Sequence, residues 1–180
     1  MTKEIIIAGF GGQGVLSMGK ILAYSGLMED MEVSWFPSYG PEQRGGTANV
    51  TVILSDTPVS SPVINAFDVA IILNQPSLDK FTPLVKPGGI LIYDPSSIHT
   101  PPQREDIAIY KIEASLTASE MKNIKIANMI ILGGFLKVCP IVDLEHVMLG
   151  LKKSLPERHH KLLPMNEEAI IKGMEIVEAV

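Results

Sequence analysis

Apolar residues along the chain fall into short continuous runs and longer helical stripes, separated by glycine- and proline-rich punctuation. Lys3–Ala8 carries three consecutive isoleucines ahead of a glycine, the pattern of a strand buried on both faces. Gly9–Gly14 breaks that run. From Val15, the apolar residues Val15, Met18, Ile21, Leu22 and Leu27 recur at helical spacing and predict a helix to about Glu29. Glu32–Phe36 reads as a second short strand ending at Pro37, which makes the opening a strand–helix–strand unit of a doubly wound sheet. Ser38–Gly46 is polar and glycine-rich, hence a loop. Thr47–Leu54 alternates and is rich in β-branched residues. A turn-rich loop rather than a helix precedes it, so this strand is the candidate for an antiparallel one.

Ser55–Pro62 is turn chemistry. Val69–Leu73 and Gly89–Tyr93 are apolar runs of central-strand type, with a brief helix expected around Ser77–Leu84 between them. Pro95, Pro101 and Pro102 mark an irregular stretch before another strand at Ile107–Ile112. Thr117 with Glu120 predicts a capping box opening a short helix that ends near Asn123. Ile126–Val138 is a helix apolar on most of its circumference, with Gly133–Gly134 inside it. Such a helix is buried in its own core or against a partner, and the paired glycines favour an interface. Leu144–Leu151 reads as a short helix. Asn166 is expected to cap the last one, with Glu167 and Glu168 in its first turn and Ile170, Gly173, Met174 and Val177 as its inner stripe.

With 180 residues and no repeat or long linker, the chain reads as one domain over residues 1–180. A hydrophobic fraction of 46% with 19% charged residues is ordinary globular composition and argues against disorder. Lys plus Arg total 15 against 20 Asp plus Glu, and only Arg44, Arg104 and Arg158 are arginines, so a nucleic-acid partner is not expected. One cysteine, Cys139, excludes an internal disulfide or a thiolate cluster built by this chain alone, and its apolar setting predicts a small buried residue. No apolar run reaches the length of a membrane span and none resembles a signal peptide, so a cytoplasmic protein without membrane contact is expected.

Gly9-Phe10-Gly11-Gly12-Gln13-Gly14 satisfies G-x-G-x-x-G between a predicted strand and a predicted helix. Glycines there permit a tight turn and let backbone N–H groups approach an anion at the helix N-terminus. A nicotinamide cofactor would need an acid at the end of the second strand, where Trp35, Phe36 and Pro37 stand; Asp30 and Glu32 fall at its start. Two readings stay open: phosphate or pyrophosphate binding, and a structural or subunit-docking turn. The fold class is thus α/β, a single-domain doubly wound, Rossmann-like, mostly parallel sheet with helices on both faces.

Ser38-Tyr39-Gly40-Pro41-Glu42-Gln43-Arg44-Gly45-Gly46 follows the second strand, which places it at the carboxyl edge of the sheet beside the glycine loop. Arg44 offers a donor fork for a phosphate or carboxylate, and the glycines after it leave room for close approach. Structural pairing of Arg44 with Glu42 or the backbone is the competing reading. The pairing of GFGGQG with SYGPEQRGG, then Gly88-Gly89 before a strand ending in Asp94, then Ala127-Asn128-Met129 and Leu132-Gly133, resembles the gamma subunit of 2-oxoacid:ferredoxin oxidoreductases over nearly the whole chain.

That resemblance implies a complex that oxidatively decarboxylates a 2-oxoacid (pyruvate, 2-oxoglutarate or a branched-chain 2-oxoacid) to acyl-CoA. It implies thiamine diphosphate and magnesium held chiefly by alpha and beta subunits, and iron–sulfur clusters carried by the beta and a ferredoxin-like delta subunit. Ferredoxin or flavodoxin would accept the electrons. None of these cofactors is expected on this chain alone. Carried over by position, Gly9, Gly11, Gly12, Gln13 and Gly14, with Ser38, Tyr39, Gly40, Gln43, Arg44 and Gly45, would face the coenzyme A channel or the partner subunits; which of the two stays open. The small subunit of indolepyruvate oxidoreductase shares this domain type. A free-standing nucleotide-binding α/β module and a self-assembling scaffold are rivals of other classes.

Elsewhere, His159-His160 lies in a polar segment without a third ligand, and His99 and His146 read as structural or solvent-facing. Asp94, at a strand end, is expected to cap the next turn. Neither a paired-carboxylate set nor a nucleophile elbow stands out, and no catalytic or metal-binding residue is assigned.

Overall fold

Strand β1 (Thr2–Phe10) is the centre of the sheet, and its sequence shows why. Ile5 and Ile7 point into the larger core, Ile6 and Ala8 into the smaller one on the other face, and all four are fully or nearly fully buried. The computed structural model describes residues 1–39 and 46–180, Tyr39 in its backbone alone. Seven strands form one sheet in the order β2-β3-β1-β4-β5-β6-β7, with β2 Glu32–Tyr39, β3 Thr47–Ser55, β4 Phe67–Ile72, β5 Val85–Tyr93, β6 Ala108–Lys111 and β7 Glu178–Ala179. The run β1, β4, β5, β6 is parallel.

The opening does not close as an adjacent strand–helix–strand unit. Helix α1 (Val15–Met28) carries the chain past one strand position, and β3 returns to fill the gap, antiparallel to both β1 and β2. β3 therefore runs antiparallel as its sequence context suggested. β2 extends through Tyr39 rather than stopping at Pro37, because it is the sheet's edge, and a residue without an N–H is tolerated where no outer neighbour needs a donor. Leu27 leaves the α1 core stripe and is exposed.

Both faces carry helices, unequally. Helices α1, α3 (Ala114–Glu120), α4 (Ala127–Val138), α5 (Leu144–Ser154) and α6 (Leu163–Ile176) build the larger core, whereas α2 (Gln75–Phe81) covers the other face with irregular segments. Helix α2 starts where Asn74 accepts the Ser77 N–H at 2.9 Å, and a 3₁₀ turn over Thr82–Leu84 replaces its expected last turn. The proposed Thr117–Glu120 capping box does not form: Thr117 is buried inside α3, which begins three residues earlier. Asn166 likewise lies inside α6 and donates its amide to the Leu162 carbonyl at 2.8 Å, because a 3₁₀ segment over Glu157–Leu162 feeds directly into that helix. That same segment carries His159 and His160; the His160 ring nitrogen Nε2 sits 3.0 Å from the Lys152 and Leu155 carbonyls. Cys139 is buried at the end of α4, and burial pushes its thiol pKa up.

The glycines of α4 serve an internal contact rather than a partner subunit. A Cβ on Gly133 would collide with the Ile170 carbonyl of α6, and one on Gly173 with the Ile130 carbonyl of α4. The two helices thus cross backbone to backbone. Helices α1 and α5 are joined at their ends by Glu29, whose carboxylate accepts the Asp143 N–H at 2.7 Å and lies 2.9 Å from His146 Nδ1. The Asp143 N–H, then His146, hold the Glu29 carboxyl below its ordinary pKa; Glu29 in turn raises that of His146.

Gly133→Ala or Gly173→Ala should cost about 3 kcal/mol or more in urea unfolding, since the obstacle is backbone that cannot move aside. A loss under ~0.5 kcal/mol would contradict the crossing. The His146 contribution is complete below its unfolded pKa of about 6.5 and fades as pH rises through its raised folded value; that of Glu29 is complete above about 4.3 and fades as pH falls through its lowered one. The melting temperature should accordingly decline from pH 6 to pH 8, and His146→Gln should flatten that decline. An unchanged slope in the variant would refute the pairing.

Candidate functional site

The carboxyl ends of β1, β2, β4 and β5 and the start of β3 meet at one edge of the sheet. From β1 the chain leaves toward β2 on one side, while β4 and its successors lie on the other, so the edge between β1 and β4 is the topological switch point. The glycine loop occupies it. Gly12 (φ 98°) and Gly14 (φ 77°) take the left-handed backbone that lets a fully paired strand reverse into a helix. Gly14 has a second reason to lack a side chain: a Cβ there would strike the Asn128 amide from the first turn of α4.

The loop is held by its own hydrogen bonds. Phe10 N–H donates to Gln13 Oε1 at 2.6 Å, Gln13 Nε2 donates to the Leu73 carbonyl at 3.1 Å, and Gln13 N–H returns to the Phe10 carbonyl at 3.2 Å. The Gly11 N–H donates to the Gly46 carbonyl at 2.8 Å. This last bond brings the end of the Ser38–Gly46 segment against the glycine loop, the adjacency expected from the sequence. Ser38 is exposed and paired in β2 with Asn49 of β3, as Tyr39 is with Ala48, so both belong to the strand and not to a loop. Gly40, Gln43, Arg44 and Gly45 lie outside the described residues.

Two hollows flank the loop. The outer one, about 480 Å³, lies between the start of α1 and the start of β3, against Gly11, Gly12, Leu16, Ser17, Gly46 and Thr47. Among the described residues no side chain caps α1, and no acid sits in its first turn, which leaves N–H groups of that turn suited to an anion. The inner hollow, about 300 Å³, lies over the switch point against Gln13, Leu73, Asp94, Ser115, Lys125 and Asn128. Asp94 is almost wholly buried and is spent on structure: Oδ1 accepts the Ser96 N–H at 2.9 Å, and Oδ2 accepts the Ser115 N–H at 2.9 Å and its hydroxyl at 2.6 Å. It caps the next turn as expected and also anchors the start of α3, the role wrongly given to Thr117.

Lys125, Ser115 and Asn128 were not singled out as site residues. Their only sequence signal is the placement of Ala127-Asn128-Met129 at the head of an apolar helix; nothing local announces that the helix begins beside the glycine loop. Among the described residues, Glu29, Asp143 and His146 place donor atoms within 4.8 Å of one another, at the α1–α5 junction and already paired. No described helix is long and apolar enough to cross a membrane.

Residues 4–176 match the sequence model of the family described as pyruvate ferredoxin/flavodoxin oxidoreductase. The 2-oxoglutarate synthase subunit KorC of Methanocaldococcus jannaschii is 34% identical over 181 residues, 99% of this chain and 95% of that one. Against longer curated relatives the chain spans 27% and 19% of their length. Among solved structures, the keto/oxoacid ferredoxin oxidoreductase gamma subunit from Geobacter sulfurreducens PCA superposes with a TM-score of 0.84 at 27% identity, covering 98% of this chain and 96% of that one. The 2-oxoglutarate:ferredoxin oxidoreductase from Magnetococcus marinus, with 2-oxoglutarate, coenzyme A and succinyl-CoA bound, superposes with a TM-score of 0.87 at 27% identity, covering 97% of this chain and 31% of that one. With the sheet order, the glycine loop and the match over residues 4–176 in agreement, the chain belongs to the pyruvate ferredoxin/flavodoxin oxidoreductase family.

Proposed function

We propose that residues 1–180 act as one gamma-type domain of a 2-oxoacid:ferredoxin oxidoreductase, in a complex that converts a 2-oxoacid to acyl-CoA. The observation that carries this reading is near end-to-end correspondence with a keto/oxoacid ferredoxin oxidoreductase gamma subunit, together with a glycine turn at the sheet's switch point that no described side chain caps. Thiamine diphosphate with magnesium, and the iron–sulfur clusters, are assigned to alpha, beta and delta subunits, and the electrons to ferredoxin or flavodoxin.

The chain's own contribution is binding and enclosure. Backbone N–H groups at the start of α1 would meet phosphate oxygens of coenzyme A, favoured by the positive end of the helix. Arg44 would add a bidentate charge from the adjoining segment. Ser38, Tyr39, Gly40, Gln43 and Gly45 would line the same approach or meet a neighbouring subunit. Holding coenzyme A there and excluding water from the reacting centre uses remote binding energy to orient the thiol. The presence of coenzyme A in the Magnetococcus marinus structure supports that ligand class.

Purification from the source through a tag on this chain, under anaerobic conditions, tests the reading by native mass spectrometry. Thiamine diphosphate- and cluster-bearing subunits should accompany the chain, and a panel of 2-oxoacids should then reveal turnover. Recovery of this polypeptide alone would overturn the assignment, and recovery with a single large partner would favour the indolepyruvate enzyme instead. In the intact complex, Arg44→Ala should raise the KM for coenzyme A about tenfold, the effect of one charged hydrogen bond. Wild-type kinetics would remove Arg44 from the site.

A further inference from the structure

Of the residues in the glycine loop, Gln13 is the one whose side chain hydrogen-bonds at both its amide oxygen and its amide nitrogen. Its amide oxygen takes the Phe10 N–H at the end of β1, and its amide nitrogen reaches the Leu73 carbonyl just beyond β4. These backbone groups stand on opposite sides of the switch point. A side chain on Gly9 would press on the same amide, since a Cβ there would lie 2.6 Å from Gln13 Oε1. Gln13 thus closes the crevice between β1 and β4 from within, and it walls the inner hollow while taking no part in the outer one.

We infer that Gln13 is a positioning residue: it latches the glycine loop across the switch point, so that a phosphate-bearing ligand is read from the outer hollow by the first turn of α1. This inference rests on the coenzyme A reading above and assigns Gln13 a role different from contact with the ligand. The chemistry requires an amide. A donor and an acceptor of one planar group are both used, and neither an ionised Glu nor Met supplies both. With the latch intact, the loop is held before ligand arrives and the ordering cost of binding is low. Without it, Gly11, Gly12 and Gly14 free the loop, and each binding event must order it again. Gln13→Glu keeps an acceptor for Phe10 but turns a second oxygen toward the Leu73 carbonyl.

The test uses the assembled complex purified through this chain. Gln13→Met and Gln13→Glu should each raise the KM for coenzyme A about fivefold, the equivalent of a lost hydrogen bond of ordinary strength. The kcat and the KM for the 2-oxoacid should stay within about twofold. Hydrogen exchange at the amides of residues 11–17 should quicken in both variants without coenzyme A. A merely structural glutamine would lower the melting temperature and leave the coenzyme A KM unchanged, which overturns the inference, as does a parallel fall in all kinetic constants. Failure of the underlying reading shows separately, as a wild-type chain that recruits no other subunit, and it would take the inference with it.

Discussion

Strand β1 is paired on both sides, antiparallel to β3 and parallel to β4, and its residues Ile5–Ala8 are buried on both faces. β1 leaves the sheet by a tight turn that takes left-handed backbone, which glycine adopts without steric cost. Gly12 and Gly14 supply that backbone, and the outcome is a helix N-terminus that no described side chain caps, set at the edge where β2 ends and β3 begins. The hollows, the contact with Gly46 and the latch by Gln13 all depend on that exit.

The neighbouring elements adjust to the same constraint. Inserting β3 between β1 and β2 moves β2 to the edge, where Pro37 is harmless and Trp35 and Phe36 remain 40% and 46% exposed. It also brings Gly46 against the glycine loop, since β3 starts at the edge where β2 ends. On the other side of β1, Asp94 ties the end of β5 to the start of α3, and α4 begins with Asn128 against Gly14. The large core beneath holds α4 against α6 so closely that carbonyl oxygens stand where side chains would be.

Much of this was legible in the residues. The isoleucine run, most of the α1 stripe and the buried α4 follow from periodicity, because burial on one or two faces writes itself into the spacing of apolar residues, whereas the antiparallel β3 follows from the short turn-rich connection before it. What escaped was set by contacts distant in sequence. The α3 start is fixed by Asp94 from another element, so the local Thr117–Glu120 pattern misled. Gly133–Gly134 alone favours an interface, and only the placement of α6 shows that the close crossing is internal. In the site, the glycine loop announced itself through its motif, whereas Lys125 and Ser115 carry no local signal, and Asn128, though part of a recognisable Ala-Asn-Met triplet, is brought beside the loop only by the folding of α4. The bond between Gly11 and Gly46 is legible only once the edge position of β2 is known.

Backbone N–H groups at the start of α1, presented by the glycine turn, are proposed to meet the phosphates of coenzyme A. Hydrogen exchange of the assembled complex, with and without coenzyme A and resolved at residues 11–17, measures this most directly. Coenzyme A addition should slow exchange at Val15, Leu16 and Ser17, with little change at β7 on the far edge of the sheet. Protection elsewhere in the complex with none across residues 11–17 would contradict it.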